Sequence, residues 1–288
     1  MRVYERAYAK INLYLDVTER REDGFHSLRS VMQTVGLYDA LTVEAVPSST
    51  PSVTLSVRGR YRVPIGPGNL AQRAADLFME AGGCPMRVRI SLDKHIPVAA
   101  GLGGGSADAA AVLRALNRVA GGRMTQARLL ELAATLGSDV PFCLLGHTRL
   151  CEGRGEIMQV LPPCPTLPLV IAPAPEWVST PTAFATLDSL YNGFTPAAEH
   201  GDLSGMIDAL KAKNRDEVTK RLYNIFEDAV LPGCPGAAAN RKALRELGAR
   251  AVLMSGSGPT VFGVFDEEET ARSAAAAMRN GAVAVQTV

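Results

Sequence analysis

Pro97-Val-Ala-Ala-Gly-Leu-Gly-Gly-Gly-Ser-Ala-Asp-Ala-Ala110 carries four glycines within five positions and runs directly into a helical pattern. Downstream, Ala109, Val112, Leu113, Leu116 and Val119 fall on one stripe at helical spacing, so a helix is expected over Ser106 to Ala120. Upstream, Arg87 to Leu92 alternates as a strand does. Between such elements, a glycine loop brings its backbone N–H groups close to a ligand, and the helix start adds partial positive charge. That combination cradles an anion. No Gly-Lys-Ser/Thr follows, which excludes a Walker A loop, and Ser106 stands where G-x-G-x-x-G needs its last glycine. The competing reading is a flexible glycine turn with no ligand.

Working outward, Ala7, Ala9, Ile11, Leu13, Leu15 and Val17 alternate with Tyr8, Lys10, Asn12, Tyr14 and Asp16, a period of two that predicts a strand with Lys10 and Asn12 on one face. Further strands are expected at Ala40 to Val46 and Ser52 to Val57, with helices at Asn69 to Glu80 and Leu129 to Leu136. Pro162, Pro163, Pro165, Pro168, Pro173 and Pro175 mark either a domain seam or a strand crossing between lobes. Beyond them the pattern predicts helices at Leu203 to Lys213, Arg215 to Val230 and Ala237 to Leu247. Strands at Ala251 to Met254 and Val261 to Phe265, a helix at Glu268 to Met278 and a last strand at Ala282 to Val288 complete the chain. Helices segregated from a mostly antiparallel sheet make the fold class α+β.

Length and charge narrow the function. At 288 residues the chain has room for two domains. With 30 Lys plus Arg against 29 Asp plus Glu, the net charge of +1 offers no field for collecting nucleic acid or anionic lipid, so an anionic ligand must be captured locally. Cys84, Cys143, Cys151, Cys164 and Cys234 are odd in number and contain no C-x-x-C pair, which excludes a disulfide framework and a zinc knuckle. Arg2, Glu5, Arg6 and Lys10 interrupt the first residues, and no apolar run approaches a membrane span, so a cytoplasmic protein away from membranes is expected.

A second glycine-rich turn, Met254-Ser-Gly-Ser-Gly-Pro-Thr260, joins two apolar strands and on its own reads equally as a plain hairpin. The two loops and the strand Tyr8-Ala-Lys-Ile-Asn-Leu13 together resemble the three signature segments of the kinase superfamily that includes galactokinase, homoserine kinase, mevalonate kinase and phosphomevalonate kinase. Within it, Ala9-Lys-Ile-Asn-Leu13, Asp23-Gly-Phe-His-Ser-Leu28, Pro97 to Ala110, Gly137-Ser-Asp-Val-Pro-Phe142 and Asn224-x-x-Glu227 are similar to the family of 4-diphosphocytidyl-2-C-methyl-D-erythritol kinases. The resemblance implies a two-lobed small-molecule kinase fold. Residues 1–162 would form an N-terminal ATP-binding and catalytic lobe resembling ribosomal protein S5 domain 2, and 163–288 a ferredoxin-like C-terminal lobe. It also implies ATP-dependent phosphorylation of the 2-hydroxyl of the cytidylylated methylerythritol, in the non-mevalonate isoprenoid route, with a small molecule as partner.

The same resemblance implies roles for single residues. Lys10 and Asp139 become the catalytic pair: a carboxylate accepts the hydroxyl proton while an ammonium stabilises the moving phosphoryl group. On spacing alone, Lys10 reads equally as a surface lysine and Asp139 as the N-cap of a helix that has Val140 and Pro141 in its first turn. The ATP loop comprises Pro97, Val98, Ala99, Ala100, Gly101, Leu102, Gly103, Gly104, Gly105, Ser106 and Ala107. Asn69 and Lys94 resemble positions near the adenine, their alternatives being a helix cap and a solvated lysine. Phe25 and His26 resemble the cytosine reader, with Phe25 where the family often has Tyr; the ring can still stack on a base. Phe184 is a second wall for the base or a core aromatic, and Asn12 orients substrate or is a solvated strand residue. Asp108 suits the helix dipole with no ligand at all. ATP chemistry implies Mg2+, for which no side chain identifies itself as a ligand.

Overall fold

The structure is a computed structural model that describes residues 1–82, 84–192, 194, 199–278 and 281–288. The chain forms two compact units. Unit 1 comprises Met1–Ala9, Leu37–Val98 and Gly103–Leu145, and unit 2 comprises Lys10–Gly36, Ala99–Leu102 and Gly146–Val288. This division differs from a single cut at 162/163, because the first two strands, β1 (Arg2–Arg20) and β2 (His26–Pro47), each run through both units.

Unit 1 adds β3 (Ser52–Gly59), α1 (Leu70–Gly82), β4 (Met86–Lys94), α2 (Gly104–Val119), α3 (Gln126–Leu136) and α4 (Val140–Leu145). Its strands lie in the order β3-β4-β2-β1, with β4 antiparallel to β2 and parallel to β3. Met86, Val88, Ile90 and Leu92 of β4 are buried while Arg87, Arg89 and Ser91 are exposed, so one face of the sheet carries the core. Ala71, Ala74 and Phe78 of α1, Val112, Leu113 and Leu116 of α2 and Leu132 of α3 join that core. Alanines at 107, 109, 110, 111 and 115, all fully or almost fully buried, let neighbouring elements approach α2 closely.

Unit 2 adds β5 (Thr148–Gly153), β6 (Ile157–Val160), β7 (Pro168–Ala172), α5 (Thr180–Leu190), α6 (Leu203–Lys211), α7 (Arg215–Lys220), β8 (Tyr223–Asn224), α8 (Phe226–Val230), α9 (Pro235–Glu246), β9 (Ala251–Met254), β10 (Val261–Val264), α10 (Glu268–Met278) and β11 (Val283–Gln286). The first half of β2 pairs with β5, which pairs with β6, while β8 runs parallel to β1 through Tyr14–Tyr223 and Leu15–Asn224. A separate antiparallel sheet has the order β11-β7-β10-β9. With helices between β7 and β9 and between β10 and β11, that is a split β-α-β-β-α-β arrangement, the ferredoxin-like pattern.

Three expectations change. The stretch from Arg215 to Val230 is not one helix: it breaks at β8, where Tyr223 and Asn224 pair with β1 instead of continuing the helical ladder. The proline-rich segment is not only a connection. It contains β7, a fully buried central strand with Pro168 at its first position and Pro173 just past its end, the places where a missing N–H is tolerated. The polar positions of β1 do not face solvent: Lys10, Asn12, Tyr14 and Asp16 are as buried as their apolar neighbours.

Candidate active site

In unit 1 the glycine loop runs into α2 through Gly103, whose φ of 68° is left-handed. No side chain caps this helix among the described residues, so the N–H groups of its first turn remain available to an anion. Gly101 also has positive φ, at 75°. Gly104 is constrained for a different reason. A Cβ there would stand 2.9 Å from Ile96 Cγ2 and 3.0 Å from Lys94 Nζ, so it is packing that excludes a side chain.

Lys94 is the anchor of that packing. Its ammonium is fully buried, donates to Asp108 Oδ2 at 2.8 Å and also pairs with Asp39 Oδ2. Asp39 Oδ1 accepts from the backbone N–H groups of His95 (2.5 Å) and Ile96 (2.8 Å), where the chain leaves β4 for the loop. One charge cluster therefore ties the entrance of the loop to the first turns of α2. Burial, reinforced by the charge of Asp39 and opposed by Lys94, pushes the Asp108 carboxyl up to about 8. Asp108 Oδ1 has no hydrogen-bond partner among the described residues.

In unit 2 the backbone N–H of Lys10 donates to the Leu102 carbonyl at 3.0 Å, and Lys10 Nζ donates to Asn12 Oδ1 at 2.9 Å. Asn12 Nδ2 donates to Ser30 Oγ, which donates to the Tyr14 carbonyl, each at 2.8 Å. This chain of buried groups fixes where the ammonium can be. The second glycine turn packs on the first: Ser255 Oγ donates to the Gly101 carbonyl at 2.9 Å, and a Cβ on Gly101 would lie 2.0 Å from the Ser255 carbonyl oxygen. A Cβ on Gly256 would come within 3.3 Å of Lys10 Nζ. Asn224 Nδ2 holds the turn by donating to the carbonyls of Met254 (2.7 Å) and Gly256 (2.8 Å), and Glu227 Oε1 accepts from the Met254 N–H at 2.9 Å. The Asn224-x-x-Glu227 motif is thus a bracket for the second loop, with Asn224 in β8 and Glu227 in the first turn of α8.

Also in unit 2, Phe25 is exposed (48%) with the Arg154 guanidinium 3.6 Å over its ring. His26 is buried, its Nε2 lying 2.7 Å from Asp188 Oδ1, and its ring stacks on half-buried Phe184 with centroids 4.5 Å apart. Phe184 in turn meets Phe226 edge-on at 4.9 Å.

Of the residues singled out from the sequence, Lys10 and Asn12 are buried and bonded to each other, neither a surface lysine nor a solvated residue. His26 and Phe184 meet, while Phe25 lies on the surface. Asn69 caps α1, accepting from Ala71 N–H at 2.9 Å and donating to the Pro64 carbonyl at 2.9 Å. Lys94 is not solvated; its ammonium is buried against Asp39 and Asp108. Asp139 immediately precedes α4, its carbonyl accepting from Cys143 N–H at 3.0 Å, and is half-buried. Sequence reasoning missed Asp39, Ser30, Asp188 and Ser255. Asp39 and Lys94 did leave a signal: each continues the apolar register of its strand, with Leu41, Val43 and Ala45 or with Met86, Val88, Ile90 and Leu92. The register that pairs Ala40 with Asp93 brings Asp39 opposite Lys94. Among the described residues no helix is long and apolar enough to cross a membrane.

Known proteins resemble this chain along nearly its whole length. The model of the GHMP kinases N terminal domain matches residues 69–147, and that of the GHMP kinases C terminal domain matches 197–284. A 4-diphosphocytidyl-2-C-methyl-D-erythritol kinase of Pelotomaculum thermopropionicum is 44% identical over 95% of this chain and 92% of its own. A crystal structure of a 4-(cytidine 5'-diphospho)-2C-methyl-D-erythritol kinase superposes with a TM-score of 0.83 and 37% identity, covering 99% of both chains. Homoserine kinase from Cytophaga hutchinsonii, at 21% identity and a TM-score of 0.74 over all of this chain and 94% of its own, shares the fold.

The buried cluster makes a paired prediction. Asp39→Ala strands a buried ammonium and two N–H groups and should lower stability by about 3–5 kcal/mol in chemical denaturation. Asp108 binds a proton in the folded state at pH values where the unfolded chain does not, so its contribution falls as pH rises from about 4 to about 8 and is level above that. Asp108→Asn should flatten this part of the melting-temperature profile, checked by thermal melts across that range; an unchanged slope contradicts the assignment.

Proposed function

The chain belongs to the 4-diphosphocytidyl-2-C-methyl-D-erythritol kinase family of the GHMP kinases, and from that membership we propose how its residues perform the phosphoryl transfer. The protein uses ATP to phosphorylate the 2-hydroxyl of 4-(cytidine 5'-diphospho)-2-C-methyl-D-erythritol, giving the 2-phosphate and ADP for isoprenoid precursor synthesis. The observation that carries this reading is Lys10. Its buried ammonium is held by Asn12 and its backbone N–H is bonded to Leu102 of the glycine loop, an arrangement suited to stabilising the negative charge of a phosphoryl group in transfer.

In the proposed reaction the 2-oxygen of the acceptor attacks the γ-phosphorus of ATP, and the bond from that phosphorus to the β,γ-bridging oxygen breaks. Asp139 accepts the hydroxyl proton. Lys10 offsets charge on the phosphoryl group in flight, and the N–H groups at the start of α2 hold the phosphates that remain on ADP. The loop residues 97–107 surround the nucleotide, while Asn69 and Lys94 serve it indirectly, Asn69 by capping α1 and Lys94 by holding the loop's ends. Phe25 stacks on the cytosine, His26 addresses its polar edge, and Phe184 supports the second side; the stack of Phe184 on His26 favours this grouping. Among the described residues no cluster of three or more His, Cys, Asp or Glu could hold a metal ion. The Mg2+ that ATP chemistry implies would come with the nucleotide and offset the charge of its phosphates. The odd number of cysteines, with no C-x-x-C pair among them, supports a cytoplasmic setting, and the near-zero net charge argues against a nucleic-acid partner.

A coupled ADP-release assay over a panel of acceptors tests the reading. Turnover is expected with the cytidine diphosphate conjugate and not with mevalonate, homoserine or galactose; the opposite pattern would overturn the acceptor, and no turnover at all would make the chain a nucleotide binder. For the catalytic pair, Asp139→Asn keeps volume and capping ability, so stability and ATP affinity should hold while kcat falls by about 10² to 10⁴. Lys10→Met should also lower kcat, and the double variant should lose less than the product of the two because the groups act on one event. Near-native kcat in Asp139→Asn across the pH range would leave Asp139 as a helix cap.

A further inference from the structure

His26 is held on two sides within unit 2. One ring face lies on Phe184, with planes 17° apart, and Phe194 stands edge-on at 6.0 Å. Its Nε2 meets Asp188 Oδ1 at 2.7 Å, and Asp188 Oδ2 lies 3.6 Å from the Arg20 guanidinium. Phe184 and Asp188 are one turn apart on α5, so the same helix supplies both the stack and the carboxylate. A carboxylate only accepts, so Nε2 carries the ring proton and the lone pair of the neutral imidazole is at Nδ1. No protein group hydrogen-bonds Nδ1 among the described residues.

We propose that Asp188 is a positioning residue that fixes His26 as a hydrogen-bond acceptor at Nδ1, and that the site thereby selects a cytosine base over a uracil. The inference rests on the reading of Asp23 to Leu28 as the base-binding segment. Cytosine presents a 4-amino donor where uracil presents a carbonyl acceptor. An acceptor nitrogen in a buried setting pairs with the first and leaves two acceptors facing each other with the second, a mismatch that buried polar groups penalise strongly. Without Asp188 the ring is free to carry its proton on either nitrogen, and the distinction between the bases fades. The Arg20 contact keeps a cation beside the carboxylate, the Phe184 stack sets the plane of the ring, and the Nε2–Asp188 hydrogen bond sets which edge faces outward.

Two measurements test this. In enzyme labelled with 15N-histidine, long-range 15N–1H correlations of His26, assigned by their loss in His26→Gln, are expected to show the Nε2-protonated form at neutral pH; an Nδ1-protonated ring would overturn the proposal without any change to Asp188. In steady-state kinetics with the cytidine diphosphate conjugate and its uridine counterpart, Asp188→Ala is expected to raise the cytidine KM about tenfold and cut the cytidine-over-uridine preference about tenfold. The kcat at saturation and the KM for ATP should hold. Where Asp188→Ala fails to fold, Asp188→Asn keeps the volume, and its amide can turn its NH2 toward Nε2, so the preference should fall in the same direction by a smaller factor. A preference unchanged in the folded Asp188 variants but lost in His26→Ala would overturn the role of Asp188 and leave the base site standing. An unchanged cytidine KM in both His26→Ala and Phe25→Ala would overturn the base site itself, and the proposal with it.

Discussion

A lysine ammonium buried from water sits between Asp39 and Asp108 at the point where β4 becomes the glycine loop, and the order of that loop rests on this cluster. Asp39 couples the charge to the backbone, because the carboxyl group paired with Lys94 also accepts from the N–H groups of His95 and Ile96. Asp108 couples it to α2. A glycine-rich segment is the most entropically costly part of a chain to hold in one conformation, and its ends must be fixed by something outside it. Buried ion clusters contribute little net stability, since desolvation offsets their attraction. What this cluster contributes is placement of the start of α2, and with it the row of N–H groups that no side chain caps among the described residues.

The middle of the same loop, Ala99–Leu102, belongs to unit 2 and is fixed by different means. There the second glycine turn supplies the Ser255 hydroxyl to the Gly101 carbonyl, and Asn224 and Glu227 hold that turn in place. Lys10 joins the arrangement through its backbone, and the Asn12–Ser30 relay holds its side chain. Each segment that reads as a separate motif in the sequence, the β1 strand, both glycine turns and Asn224-x-x-Glu227, is therefore a hydrogen-bonding partner of another in unit 2. An ammonium on a scaffold of this rigidity is preorganised, which is how a fixed charge lowers a barrier rather than merely binding substrate.

How much of this was legible differs by residue, for physical reasons. The strand at β1 and the helix at α2 announce themselves because hydrophobic periodicity is local, and the loop does so because clustered glycines have few other uses. The burial of Lys10 and Asn12 was not legible: alternation predicts one wet face, and a strand covered on both sides breaks that inference. The charge cluster could have been read, since Asp39 and Lys94 both extend the apolar register of their strands. Asp188 could not, because it is 162 positions from His26 and only the fold brings them together. The break at β8 was hidden because Arg215 to Val230 keeps helical spacing while parallel pairing with β1 and the bonds of Asn224 override local propensity.

We propose that backbone N–H groups of the glycine loop and the first turn of α2 hold the nucleotide's phosphates. Hydrogen–deuterium exchange of the whole chain, with and without a non-hydrolysable ATP analogue, addresses it at the level of single segments. The analogue is expected to slow exchange across residues 101–107 more than anywhere else in the chain. Protection confined to other segments, with exchange over 101–107 unchanged at saturating analogue, would contradict it.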